Sequence, residues 1–339
     1  MKSIFNRLLG KLFVLFIFIA MMSCSSTPYR SCEGMIWNTF YHITYKGSPE
    51  LEDSVMKVLQ VVGKSLNVFD STSLVGRLNR TKSIKADHQL LEVYETSRKI
   101  NRISNGLFDP TISPLINAWG YGIGHTPTAD TISIDSILQF VGIQKTRAES
   151  DLIIKDDIRT QFNFSAIAKG YGCDAVGEMF KRNNVYDYMI EIGGELTLSG
   201  ESPSSGLWKI SVDAPVESDI PDHNSAVIIA LTDKGVATSG NYRNFRKENG
   251  NKTAHTISPL SGRPYISDVL SATVIAETCM EADGLATACM ASSVVDAKRI
   301  LVSYGADGLL IFSDSVWMTP GFKNYINEEV SAPEKKDRN

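Results

Sequence analysis

The chain has 339 residues, 43% of them apolar and 21% charged, a composition that belongs to folded globular proteins and excludes a disordered chain. Its 34 basic and 38 acidic side chains give a net charge of −4. No long basic block stands out, so the electrostatic footprint of a nucleic-acid binder is missing and nucleic acid is not an expected partner.

Lys2, Arg7 and Lys11 precede an unbroken apolar run over residues 12–22, the charged-then-apolar order of a secretion signal over residues 1–23. The run has 11 residues, short of the roughly 20 that cross a bilayer as a helix. Ser23-Cys24-Ser25-Ser26 follows, a small residue before a cysteine, as at a bacterial lipoprotein cleavage site. Cys24 would then become the lipid-modified amino terminus, with ordinary cleavage elsewhere as the alternative. Loss of residues 1–23 leaves 31 basic against 38 acidic side chains, a net charge of −7. Cys32, Cys173, Cys279 and Cys289 form no Cys-x-x-Cys pair and lie near no histidine at zinc-ligand spacing, so buried free thiols are expected rather than a zinc site.

Residues 24–34 read as a tether. Residues 35–45 alternate aromatic and polar side chains like a half-buried strand, and residues 51–69 place Leu51, Val55, Val58, Leu59, Val62 and Leu66 at helical spacing. Residues 90–101 form a second expected helix, closed by Ser104-Asn105-Gly106, and 132–140 a third. Strands are expected at 152–154 and 159–164, then a helix over 166–182. Short strands follow at 188–192, 196–198, 208–212, 226–231, 236–238 and 270–276, separated by glycine, serine and proline turns. Helices at 283–291 and 297–304, a strand at 308–312 and a disordered tail over 327–339 complete the reading. Strands and helices mix without strict alternation, no repeat is visible and no linker divides the chain, so one α+β unit is expected, in one lobe or two.

Four stretches carry candidate chemistry. Asn105 to Thr111, with Pro114-Leu115 and Ala118-Trp119-Gly120-Tyr121-Gly122, sets glycines beside aromatics, which suits either a wall for a planar ligand or a packed turn. Asn163 to Gly172 runs a strand into a helix with small residues at the junction. That junction is a candidate phosphate cradle, with Lys169 either pairing with phosphate or solvated; it matches neither the Walker nor the Rossmann spacing. Asp283 and Thr287 stand four apart, which puts a carboxylate and a hydroxyl on one helix face as oxygen ligands for Mg²⁺, unless Asp283 is only a helix cap. Thr238-Ser239-Gly240-Asn241-Tyr242-Arg243 is followed by His255 and by Ser258-Pro259; His255 is a candidate general base or a structural histidine.

Taken in order, Phe108-Asp109-Pro110-Thr111, Pro114-Leu115 with Trp119-Gly120, Ala168-Lys169-Gly170-Tyr171 with Asp174, Ile192-Gly193-Gly194-Glu195, Thr238-Ser239-Gly240-Asn241-Tyr242, and Ala282-Asp283 with Ala286-Thr287 resemble the ApbE-like family. These are the FAD:protein FMN transferases of bacterial envelopes, often lipoproteins, and the resemblance runs over about residues 37–322. It implies a single T-fold-related α+β domain over 35–326, with the FAD site between lobes if the unit has two. It also implies Mg²⁺-dependent transfer of FMN from FAD to a threonine hydroxyl of a target protein, with AMP leaving. By the same resemblance Trp37 and Phe69 would border the flavin, Ala118, Trp119 and Gly120 would line its pocket, and Asn163, Lys169 and Ile257 would complete the FAD contacts. Asp283, Thr287 and the backbone carbonyl of Ala166 would hold the metal, and His255 would be the base for the incoming hydroxyl. The chain departs from the family at Trp37-Asn38-Thr39, where Met-Gly-Thr is usual, and at Asn163 and Ser258, where Asp is usual. An FAD pyrophosphatase and a non-catalytic FAD-binding lipoprotein are the alternatives. The acceptor would be an envelope redox-pump subunit or another flavoprotein, met on the periplasmic side, where the lipid on Cys24 would hold the chain to a membrane.

Overall fold

In the computed structural model, residues 27–122, 127–128, 133–213, 225–240, 245–248, 251–254 and 256–329 are described. The first two strands, β1 (Tyr29–Ile36) and β2 (Thr39–Lys46), pair as an antiparallel hairpin from Tyr29↔Lys46 to Ile36↔Thr39. This corrects the expected tether to residue 34 and the single strand over 35–45. Trp37 (φ 49°) and Asn38 (φ 64°) form a two-residue left-handed turn that divides the run. Such turns are usually announced by glycine; here a tryptophan and an asparagine occupy them, so the break is invisible in the pattern.

Next come α1 (Leu51–Leu66), α2 (Leu74–Leu78), β3 (Ser83–Lys85), α3 (His88–Ile103), α4 (Ser113–Ala118) and α5 (Ile134–Leu138), and then β4 (Thr146–Glu149) and β5 (Leu152–Lys155). Strands β3, β5 and β4 make a small sheet of their own. The strand expected over 159–164 is not formed. Apart from one parallel bridge between Gln161 and Ile112, a side chain holds this segment: the Asn79 amide donates to the Phe162 carbonyl at 2.9 Å and accepts from its N–H at 2.7 Å. Phe162 and Phe164 are fully buried, which explains an apolar pattern that belongs to no sheet.

The second half runs α6 (Ala168–Arg182), β6 (Tyr188–Ile192), β7 (Glu195–Ser199), β8 (Trp208–Asp213), β9 (Ser225–Leu231), β10 (Lys234–Gly240), β11 (Phe245–Glu248), β12 (Asn251–Ala254), β13 (Val269–Ala276), α7 (Cys279–Met290), α8 (Val294–Tyr304), β14 (Asp307–Phe312), β15 (Val316–Met318) and β16 (Ile326–Glu329). Strand β16 pairs with β9, so the folded unit continues past the expected boundary at residue 326.

An eight-stranded antiparallel sheet of order β1-β2-β6-β7-β10-β13-β14-β15 organises the domain. On one face Tyr41, Ile43, Tyr45, Tyr188, Ile190 and Ile192 pack against Val55 and Leu59 of α1 and Cys173, Val176 and Phe180 of α6. Each such fully buried apolar side chain contributes about 1.5–3 kcal/mol. On the other face Trp208, Val212, Ile229 and Leu231 of the β16-β9-β8 sheet cover Leu198, Val236, Ile275 and Leu309. Helix α7 is buried almost all round, with Ala282, Asp283, Gly284, Leu285 and Ala286 inside, as expected of a helix held between other layers rather than on a surface. The result is a single α+β domain. Among the described residues no helix is long and apolar enough to cross a membrane.

Candidate active site

The site rests on a close approach of two helices. A Cβ added at Gly170 of α6 would lie 2.4 Å from the Cys279 carbonyl oxygen and 2.9 Å from Asp283 Cβ, so only glycine lets α6 and α7 meet there. One turn along α6, the Asp174 carboxylate accepts from the N–H groups of Cys279 at 3.0 Å and Met280 at 2.8 Å and from the Thr197 hydroxyl at 2.7 Å. Burial pushes the Asp174 carboxyl up to about 6 despite those donors. Thr278 caps α7 by accepting from Glu281 N–H at 3.2 Å. Helix α7 thus starts one turn before the expected residue 283, and Asp283 lies in its interior. The capping explanation for Asp283 no longer applies.

Asp283 is 2% exposed, and its Oδ2 accepts from Gly170 N–H at 3.1 Å. One turn later the Thr287 hydroxyl lies 3.5 Å from the Ala166 carbonyl oxygen, at the outer edge of hydrogen bonding. The three oxygen groups expected to hold a metal therefore gather where the chain enters α6. Beside them the Lys169 ammonium lies 2.5 Å from Glu195 Oε1, and Glu195, 3% exposed, has its second oxygen buried with no partner among the described residues. Burial, then the neighbouring Asp283 charge, holds the Glu195 carboxyl well above the usual range, with Lys169 pulling it back. Burial likewise raises Asp283, opposed by Lys169 and the Gly170 N–H. For Lys169, burial acts to lower the pKa, but the carboxylates of Asp283 and Glu195 outweigh it and the net shift is upward.

Burial raises both carboxyls and the Asp283 charge raises Glu195 further, so their ionised forms are disfavoured beside a single ammonium, and a bound cation would favour them. A carboxylate, a hydroxyl and a backbone carbonyl are hard oxygen donors that fit Mg²⁺. Among the described residues there is no group of three or more His, Cys, Asp and Glu that could hold a metal.

Next to this junction is a cleft of about 180 Å³ lined by Trp37, Leu66, Asn67, Phe69, Ser165 and Lys169 among others. The Trp37 indole is gripped between two helices: a Cβ at Gly63 of α1 would lie 2.8 Å from its Nε1, and one at Gly172 of α6 would lie 2.6 Å from Cη2. Phe69 is 66% exposed at the rim, and its N–H donates to Asn67 Oδ1 at 3.0 Å. Trp37, Phe69 and Lys169, three of the expected FAD contacts, share one cavity.

The remaining expected residues are placed elsewhere. Ala118, Trp119 and Ile257 meet in a separate apolar cluster with Leu115, Ile134 and Ile137, where Trp119 Nε1 donates to the Gly262 carbonyl at 2.8 Å. Gly120 turns the chain after α4 with φ 74°. Asn163 shapes the approach to Ala166: its N–H donates to the Pro110 carbonyl at 2.6 Å and its Oδ1 accepts from Ser165 N–H at 2.9 Å. Ser258 organises its own loop, donating from N–H to the Arg263 carbonyl at 2.9 Å and accepting from Gly262 N–H at 2.8 Å. In the 108–111 turn, buried Asp109 accepts from Thr111 N–H and hydroxyl at 2.8 and 2.6 Å and from Ile143 N–H at 3.0 Å; this stretch is a packed turn. Cys24, residues 241–244 and His255 lie outside the described residues.

Asp174 and Glu195 stand inside stretches that the sequence singled out, without a role. The signal for Glu195 is register. It pairs directly with Ile192, and cross-strand partners share a face, so a carboxylate is aimed at the helices that carry Lys169 and Asp283.

Comparison with known proteins gives a consistent result. The model of the ApbE family matches residues 37–310. An FAD:protein FMN transferase of Vibrio cholerae is 32% identical over 313 residues, covering 87% of this chain and 89% of that protein, and one of Escherichia coli K12 is 25% identical over 322 residues, covering 90% and 91%. Among solved structures, a flavin transferase ApbE from Vibrio cholerae superposes with a TM-score of 0.78 at 27% identity over 88% of this chain and 99% of that one. The apo form of a Pseudomonas stutzeri flavinyl transferase ApbE gives 0.79 at 27% identity over 89% and 98%.

Proposed function

The chain belongs to the ApbE family, and on that basis we propose that it is an FAD:protein FMN transferase that uses Mg²⁺, takes a threonine hydroxyl as acceptor and releases AMP. Transfer of FMN from FAD to a protein is the activity named for its relatives. The observation that carries the finer reading is the meeting of the Ala166 carbonyl, the Asp283 carboxylate and the Thr287 hydroxyl beside the cleft that Lys169 and Trp37 line.

A Mg²⁺ held by those three oxygens would neutralise charge on the FAD pyrophosphate. The chain's own groups do the rest. Trp37 and Phe69 offer apolar ring surface to the isoalloxazine. The Lys169 ammonium meets a phosphate oxygen, and the amino-terminal end of α6 adds the positive end of its dipole. The acceptor oxygen attacks the phosphorus on the FMN side, the anhydride bond to AMP breaks, and His255 takes the hydroxyl proton. FMN is left joined to the acceptor through a phosphodiester.

The basic and apolar start of the chain followed by Cys24 supports a lipid anchor and a periplasmic place of work. An envelope redox-pump subunit or similar flavoprotein would be the acceptor. The test is incubation with FAD, Mg²⁺ and a candidate acceptor, read by mass spectrometry. One FMN on an acceptor threonine with an equal amount of AMP is expected. Free FMN with and without acceptor would mean a pyrophosphatase, and tight FAD binding without AMP would mean a binding protein.

A further inference from the structure

We infer that Glu195 is a positioning residue that acts through Lys169, anchoring its ammonium toward the cleft and away from Asp283. The inference rests on the functional reading above and adds to it a residue to which that reading gives no part. A lysine stem has four rotatable carbons and no preferred partner geometry, and two buried carboxylates compete for this one. The ammonium is found 2.5 Å from Glu195 Oε1. Room for the stem comes from the preceding turn: a Cβ at Gly193 would lie 3.3 Å from Lys169 Cδ and 2.8 Å from Thr39 Oγ1, and Gly193 and Gly194 both have positive φ.

The second oxygen of Glu195 argues against a purely structural ion pair. It is buried and has no partner among the described residues, in a residue 3% exposed, an arrangement that costs stability where an apolar side chain would not. What the carboxylate does provide is a place for the lysine other than Asp283. With Glu195 removed, Asp283 would be the nearest counter-charge, and a lysine paired there would compete with the cation for its only carboxylate ligand. With Glu195 present, Lys169 remains 33% exposed at its side chain and lines the cleft, where a phosphate oxygen can reach it.

The test is a double-mutant cycle on the full chain with Glu195→Gln, Lys169→Met and both together. FAD affinity is read by flavin fluorescence without added metal, and KM and kcat by AMP release with Mg²⁺ and an acceptor. Glu195→Gln is expected to weaken FAD binding about tenfold and to raise KM more than it lowers kcat. It should add nothing in the Lys169→Met background, and Glu195→Asp, which keeps the charge, should recover part of the loss. Additive losses in the double variant, or unaltered FAD affinity in Glu195→Gln, would overturn the inference. Unaltered protein that binds FAD but releases no AMP would overturn the functional reading instead, while the fluorescence cycle would still decide the role of Glu195.

Discussion

One part of the cleft lining is the half-buried Lys169, with the buried Glu195 and Asp283 behind it, all three positioned by backbone: Gly170 admits the helix contact, Asp174 ties the start of α7 to α6, and the Gly193-Gly194 turn seats the lysine stem. A second wall is Trp37, wedged between Gly63 and Gly172, and Phe69, which stands mostly exposed at the rim. The first wall depends on individual atoms, since moving one carboxylate changes the charge balance of the whole site. The second depends on apolar area, which several side chains could supply.

The contrast should be visible in substitutions. The largest effect is expected for Asp283→Asn, which keeps shape and removes the charge: Mg²⁺-dependent release of AMP should fall about a hundredfold or more, the several kcal/mol that a metal supplies to a charged transition state. Gly170→Ala and Gly172→Ala separate the walls. The first drives a methyl into the Cys279 carbonyl and should lower unfolding free energy by about 1–3 kcal/mol in denaturant titrations, with loss of metal dependence. The second pushes only on the end of the Trp37 ring and should raise the KM for FAD with the Mg²⁺ requirement kept. Equal effects of the two would break the comparison.

A pH test addresses how the charged wall is fastened. The folded-state pKa of Asp174, about 6, lies above the ordinary carboxylate value near 3.9 of an unfolded chain. Its protonation therefore stabilises the fold at low pH, and that contribution is lost as pH rises from about 4 through about 6. Asp174→Asn lacks this dependence, so the stability of the unaltered chain relative to that variant should be about 2 kcal/mol greater at pH 4.5 than at pH 7.5. The smallest effect is expected for Trp37→Ala, with FAD affinity reduced about three- to tenfold in fluorescence titrations and the metal dependence retained.

The sequence made much of this arrangement legible, and what it hid has physical causes. Periodicity placed α1 and the central strands because their buried faces repeat strictly, as in Val55, Leu59, Val62 and Leu66. It failed at 35–45 because the turn there uses Trp37 and Asn38, and at 159–164 because Asn79 replaces a neighbouring strand. The pairing of Asp283 with Thr287 could be read from helical spacing alone, whereas the meeting of either with Ala166 could not. Glu195 was hidden for a different reason: the Gly193-Gly194 turn announces a tight hairpin that sets Glu195 opposite Ile192, but which helices face that pair is a tertiary contact that no local pattern states.

The central claim is that Asp283, Thr287 and the Ala166 carbonyl form one cation site beside a bound dinucleotide. Its most direct test is a titration with Mn²⁺, whose unpaired electrons report binding by magnetic resonance, on the full chain with saturating FAD. One Mn²⁺ per chain is expected, displaced by Mg²⁺ and lost in Asp283→Asn while FAD remains bound. Mn²⁺ binding of unchanged stoichiometry and affinity in that variant would contradict the account.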